Sequence, residues 1–186
     1  MPASRKSANG NAKMDAIALL KADHRAVEEL FESFEKARTV RQKTSLAQKI
    51  CLELAVHTLI EEEIFYPAVD GEVEEDVLNE AYVEHDGAKM LIAEIGMGSP
   101  DDAFFDAKVK VLSEEIRHHV KEEEQRDGMF AQARKAGVDL AALGAEMARR
   151  KAELLKQFKE TGIPTPETRS MKGARLKVSQ PFRPGL

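Results

Sequence analysis

Four histidines, His24, His57, His85 and His119, fall on helical stripes at positions where a leucine or isoleucine would be expected. Two of them open the pattern His-x-x-x-Glu: His57 with Glu61, and His119 with Glu123. Imidazole nitrogen and carboxylate oxygen are ligands that iron, zinc and manganese all accept. Residues four apart project from the same face of a helix, so each pair can present a nitrogen and an oxygen to one point. Buried without partners, such groups are costly; a pair of metal ions would satisfy them together. The spacing alone is weakly selective, because Glu28, Glu61, Glu122 and Glu123 all stand four residues after a histidine. The stripe selects more sharply. His119 continues the row of Leu112 and Ile116, whereas His118 follows Val111, Glu115 and Glu122 on an outward row. Periodicity does not choose Glu61 over Ile60 or dismiss Glu28, since i+3 and i+4 border one face.

Long amphipathic segments must carry these residues. The first is expected over about 14–38, with Asp15 at its start and Leu20, His24, Val27, Phe31 and Phe34 as its stripe. The second runs from about Gln42 to Tyr66 and stops at Pro67, with Ile50, Leu54, His57, Glu61 and Ile64 inward. The third, about Glu74 to Ile95, carries Leu78, Tyr82, His85 and Ile92. It ends at the breaker Gly96-Met-Gly98-Ser-Pro100. The fourth is expected as one helix from Asp101 to about Lys135, bent near Gly128, with Phe105, Val109, Leu112, Ile116, His119 and Glu123 inward. Long helices joined by short loops favour an all-α, up-down-up-down four-helix bundle. A fifth, appended helix is expected over 138–160. The expected organisation is a disordered stretch 1–13, a bundle 14–137, that helix, and a basic flexible tail 161–186. A weak echo between HTLIEEEIF in the second helix and HVKEEEQRDGMF in the fourth suggests a two-helix unit used twice, which would set equivalent ligands on opposite sides of the bundle axis.

The 186 residues suffice for one domain with a core. A formal net charge of −5 gives no general pull towards nucleic acid or anionic membranes. From Thr161 onward, five basic residues face one acidic, so that a protein partner could be met through the tail. The lone Cys51 reads as core filler and suits a reducing compartment. No segment reaches the roughly 18 apolar residues of a membrane span, and a cytoplasmic location is expected. Tyr66 and Tyr82 read as packing residues, and Glu62, Glu63, Glu122 and Glu124 as a solvated face that could spare one secondary ligand.

The segments around His24 (Lys21-Ala-Asp-His24-Arg25), His57-Thr-Leu-Ile-Glu61 through Tyr66-Pro67, Glu84-His85 and His118-His119 through Glu124 resemble the hemerythrin-like, or HHE cation-binding, family over roughly residues 14–135. Arg134 to Asp139 and the helix after them resemble a C-terminal extension of bacterial members. The resemblance implies a four-helix bundle holding a non-haem di-iron centre with an oxo or hydroxo bridge. It implies terminal ligands at His24, His57, His85 and His119 and bridging carboxylates at Glu61 and Glu123, with iron ahead of zinc or manganese. Oxygen-carrying hemerythrins have a further histidine four residues after the third-helix ligand; here that residue is Lys89. The expectation shifts accordingly from reversible oxygen storage to binding or sensing of oxygen, nitric oxide or redox state. An oxidoreductase acting on peroxide or nitric oxide, and iron storage, are the alternatives.

Overall fold

The computed structural model describes residues 14–171; the expectations for 1–13 and for the tail beyond Met171 lie outside them. Eight helical pieces follow in order: α1 (Ala16–Lys36), α2 (Val40–Ile60), a π-helical turn (Glu61–Phe65), α3 (Tyr66–Val69), α4 (Glu75–Met97), α5 (Phe105–Glu124), α6 (Met129–Ala136) and α7 (Leu140–Thr161). They form a four-helix bundle: α1, α2 with its continuation through α3, α4, and α5 followed by α6. The appended helix α7 lies against α1 and α2. Among the described residues no helix is long and apolar enough to cross a membrane.

Local chemistry sets the helix starts. Asp15 accepts a hydrogen bond from the Ala18 amide at 2.7 Å and caps α1. Thr39 and Gln42 form a reciprocal capping box at the start of α2. Asp139 caps α7 through the Ala142 amide. Two expected helices differ in their course. The second does not stop at Pro67. The wide turn over Glu61–Phe65 hands the Tyr66 amide to the Glu61 carbonyl, five residues back. That shift of register accommodates a proline, which has no N–H to give, and the helical path continues to Val69.

The expected fourth helix is two. Asp102 is spent in the preceding turn, where its carboxylate accepts from the Ser99 amide at 2.7 Å, and regular helix begins only at Phe105. It ends at Glu124, and α6 starts after Gly128. A β-carbon on Gly128 would lie 2.1 Å from the Glu122 carbonyl oxygen, so only glycine permits so tight a fold-back.

The core is in two parts. One apolar cluster gathers Leu20, Phe65, Tyr66, Met129, Phe130 and Met147 beneath α7. The other gathers Phe31, Phe34, Ile50, Leu54, Phe105 and Leu112. Between them the bundle carries a layer of buried polar side chains. α7 closes over the first cluster with Met147, Leu154 and Phe158. Its Gly144 passes so near the start of α1 that a β-carbon would stand 2.4 Å from the Met14 carbonyl oxygen and 2.7 Å from the Ala16 nitrogen. After α7 the chain runs without regular structure, and residues 167–171 lie against α4 through Asp86 and Lys89. Over those residues the expected free tail is a tied strap.

Candidate metal centre

The six residues singled out by the sequence meet in that polar layer. His24, His57, His85 and His119 are each 1–6% exposed, Glu61 is fully buried and Glu123 is 2% exposed. They form two pairs. Nε2 of His24 lies 3.2 Å from Nε2 of His57, and Nε2 of His85 lies 3.3 Å from Nε2 of His119. Glu61 stands between the pairs, with Oε2 3.1 Å from His57 Nε2 and 3.3 Å from His85 Nε2. Glu123 stands opposite, Oε2 3.4 Å from His24 Nε2 and Oε1 3.6 Å from His119 Nε2. The other eligible residues lie elsewhere. Glu28 pairs with Arg117 towards solvent, and His118 is an exposed side chain.

Each imidazole is held from behind by a carboxylate of a neighbouring helix. Nδ1 of His24 meets Glu124 at 2.8 Å, Nδ1 of His85 meets Glu62 at 3.0 Å, and Nδ1 of His119 meets Glu84 at 2.7 Å. Nδ1 of His57 faces Asp23 at 3.7 Å, an ion-pair separation rather than a hydrogen bond. The arrangement closes on itself: α1 serves the histidine of α2, the π-helical turn serves that of α4, α4 serves that of α5, and α5 serves that of α1. An ionised carboxylate only accepts, so in the three hydrogen-bonded cases Nδ1 donates and the Nε2 lone pair faces the centre. Glu62 and Glu124, expected from the sequence on a solvated face, and Asp23 and Glu84 instead back the site imidazoles.

Tyr66, expected from the sequence as a packing residue, also reaches the site. Its hydroxyl is fully buried, 3.1 Å from His85 Nε2, and donates to Glu123 Oε1 at 3.3 Å. Burial and the charges of Glu61 and Glu123 hold this phenol well above its ordinary range. Phe130, delivered by the fold-back at Gly128, stacks on His24 at 6.0 Å. Tyr82 packs edge-on against Tyr66 at 5.2 Å and does not line the site. Lys89 directs its ammonium to Glu62 at 2.7 Å, one hydrogen bond away from His85. Cys51 is buried core, its thiol pushed up to about 12 by that burial.

The electrostatics are those of a cage wanting cations. Burial pushes His24 down to about 4, with His57 beside it acting in the same direction. His57 is pushed up to about 10, because Glu61 and Asp23 outweigh its burial. Burial and the charge of Glu61 raise Glu123 to about 8. Glu61 itself is held well below the carboxylate range, the histidines overcoming its burial. Both oxygens of Glu61 and Oε2 of Glu123 are buried with no hydrogen bond. An orphaned buried acceptor costs about 1–3 kcal/mol. Ligand atoms about 2.0–2.2 Å from one ion lie roughly 3 Å from each other, which is the spacing within both histidine pairs and from each to Glu61. The donor set therefore fits metal. His24, His57 and Glu61 could hold one ion, and Glu61, His85 and His119 a second. Beside the imidazoles, Val27, Leu54, Ile116 and Val120 border a cavity of about 10 Å³ for the centre of a water-sized molecule, room for about one such molecule.

The sequence profile of the hemerythrin HHE cation-binding domain matches residues 15–133, the whole stretch that carries the six residues. The chain belongs to the hemerythrin HHE cation-binding family. Among solved structures, this HHE chain is similar to a hemerythrin HHE cation-binding domain-containing protein from Mycobacterium kansasii. The TM-score is 0.65 at 18% identity, over 80% of this chain and 94% of that one, a likeness of fold. Among curated proteins it is 28% identical over 111 residues to a DNA nickase of Nostoc sp., covering 60% of this chain. The HHE chain spans about a third of the length of that relative, 32%.

Proposed function

We propose that this HHE protein holds two iron ions. His24 and His57 are terminal ligands to one, His85 and His119 to the other, and Glu61 and Glu123 are shared between them. The observation that carries the reading is the pair of Nε2–Nε2 contacts at 3.2 and 3.3 Å flanking the unpartnered oxygens of Glu61. Lone pairs facing each other at that distance repel unless a cation or proton lies between them. Iron, when bound, would supply redox reactivity towards a diatomic molecule or peroxide.

The protein's own residues set the conditions for that chemistry. The four backing carboxylates orient the imidazoles and raise their basicity. The ligand set has no fifth histidine: position 89 is a lysine, and its ammonium is engaged with Glu62 at 2.7 Å. The cavity bordered by Val27, Leu54, Ile116 and Val120, with Asp23, Glu53 and Thr58, has room for about one small molecule beside the imidazoles. This combination supports binding or sensing of oxygen, nitric oxide or redox state. One observation favours the second reading, an oxidoreductase acting on peroxide or nitric oxide: the buried Tyr66 hydroxyl can hold a proton within 3.3 Å of Glu123.

Stopped-flow mixing of the reduced, iron-loaded protein with oxygen, nitric oxide and peroxide separates the readings. A single binding or oxidation event without turnover is expected. Sustained turnover of peroxide or nitric oxide would replace sensing by catalysis, and Tyr66→Phe should then slow it.

A further inference from the structure

Asp86 follows a site histidine, is fully buried, and takes no part in the cage. Three consecutive backbone amides of the C-terminal segment converge on its carboxylate. Arg169 N, Ser170 N and Met171 N donate to Oδ2 at 2.9, 2.6 and 3.1 Å, and the Ser170 hydroxyl adds a bond of 2.7 Å. Such a nest of N–H groups is a strong anion cradle. The strap it holds then reaches the site by two routes. The Glu167 carbonyl accepts from Lys89 at 3.1 Å, and Lys89 also meets Asp86 at 3.4 Å and Glu62 at 2.7 Å. An ammonium has three protons, and the third acceptor of this buried lysine is supplied by the strap. On the second route the Arg169 guanidinium lies 4.0 Å over the Tyr82 ring, which packs on Tyr66.

The other half of the centre lacks such a cover. Glu124, which backs His24, meets the exposed cations Lys21 and Arg25. Asp23, which backs His57, meets Lys151 of α7. The carboxylate at His85 alone among the four is neutralised by a buried lysine tied to the C-terminal segment. That segment lies beyond residues 15–133 matched by the family profile.

We propose that Asp86 is a positioning residue that latches the strap 167–171, and that the latched strap holds Lys89 on Glu62 and so fixes His85, making the His85–His119 metal position tighter than it would be in the bare bundle. The inference rests on the reading of the two histidine pairs as metal positions. It makes the two positions inequivalent: releasing the strap weakens one and spares the other.

The test uses the full-length, metal-free chain titrated anaerobically with cobalt(II), followed by calorimetry and visible absorption, with amide hydrogen exchange of residues 169–171 read in parallel. Asp86→Ala and Ser170→Pro are compared with the wild type. The second change lies in the strap, outside the helices, and leaves the bundle to fold if the first does not. Wild-type protein should bind two ions with the strap amides protected. In Asp86→Ala all three amides, and in Ser170→Pro those of residues 169 and 171, should exchange freely, and one ion should bind about 10–100-fold more weakly, the usual effect of losing an outer-shell partner, while the other holds its affinity. Unprotected strap amides in the wild type, two unchanged affinities after release, or equal weakening of both would overturn the strap proposal and leave the metal reading standing. A wild-type chain that takes up no cobalt would contradict the metal reading itself.

Discussion

Glu61 and Glu123 are chemically the same group at nearly the same depth, yet their carboxyls move in opposite directions. Glu61 is held low by His57 and His85, whereas burial and the charge of Glu61 lift Glu123 to about 8. Two carboxylates sharing a dry site cannot both ionise freely unless a cation lies between them. His57, lifted to about 10, holds a proton for the complementary reason. These two groups, and His85, which Glu61 and Glu62 also hold above its ordinary range, must lose their protons to bind metal, so loading at pH 7 should release protons and affinity should rise between pH 6 and 8. Calorimetry in buffers of different ionisation enthalpy checks this; an affinity independent of pH would contradict it. The same shifts act on the metal-free fold. Glu123 and His57 bind more protons folded than unfolded, so their contribution is present at low pH and is lost as pH rises through their folded values, with both acting between about 6.5 and 8. His24, pushed down to about 4, acts the other way and takes stability away as pH falls below about 6.5. A midpoint of thermal unfolding that climbs from pH 6.5 to 8 in metal-free protein would show these assignments to be reversed.

The residue scale also shows where reading the sequence stopped. The stripes of α1, α2, α4 and α5 turn His24, His57, His85 and His119 inward because periodicity within one helix decides which face is buried, whereas only the resemblance to the family distinguishes Glu61 and Glu123 from the other eligible glutamates. The backing carboxylates are invisible to that logic, since each serves a histidine on a different helix. One signal was present: Asp23, Glu62, Glu84 and Glu124 are each the immediate neighbour of an inward site residue, at the edge of the buried face. Tyr66 escaped for a related reason. The π-helical turn adds a residue to the repeat, and regular spacing from Glu61 does not point Tyr66 at the site.

At the scale of elements, breaks in regularity do the positioning. The wide turn at Glu61–Phe65 aims Glu61, Glu62 and Tyr66 together, and π-type turns recur at functional sites for this reason. On the opposite side, the fold-back at Gly128 brings Phe130 onto His24. Helix α5 starts later than the Asp101 that the sequence suggests because side-chain bonds of Ser99 and Asp102 compete with the helix, and it stops short of Lys135 because the chain folds back at Gly128; periodicity registers neither. The appended helix is attached just as specifically. Gly144→Ala would drive a β-carbon into the backbone of residues 14–16, where no side chain can rotate away. It should cost about 1–3 kcal/mol and lower the unfolding midpoint by roughly 2–4 °C per kcal/mol. An unchanged midpoint would mean that α7 is free to shift on α1, and that the contact of Lys151 with Asp23 is not fixed by packing.

For the whole molecule, the polar layer between two apolar clusters is the central fact. A bundle of this size could have joined Leu54, Phe65 and Leu112 into one continuous core; instead it buries four imidazoles, two carboxylates and a phenol at mid-height. Up-down topology was legible because loops between the long stripes are short. The strap over α4 was not, because most of its bonds to Asp86 come from backbone amides, which carry no sequence signature. The central claim is that this layer exists to hold two metal ions, and metal content with an absorption spectrum tests it most directly. Protein produced in iron-rich medium should contain about two irons per chain with near-ultraviolet charge-transfer bands. His119→Ala should lose both the bands and at least one iron, and His118→Ala should keep them. A colourless, iron-free wild-type protein, or equal loss in the two variants, would contradict the account.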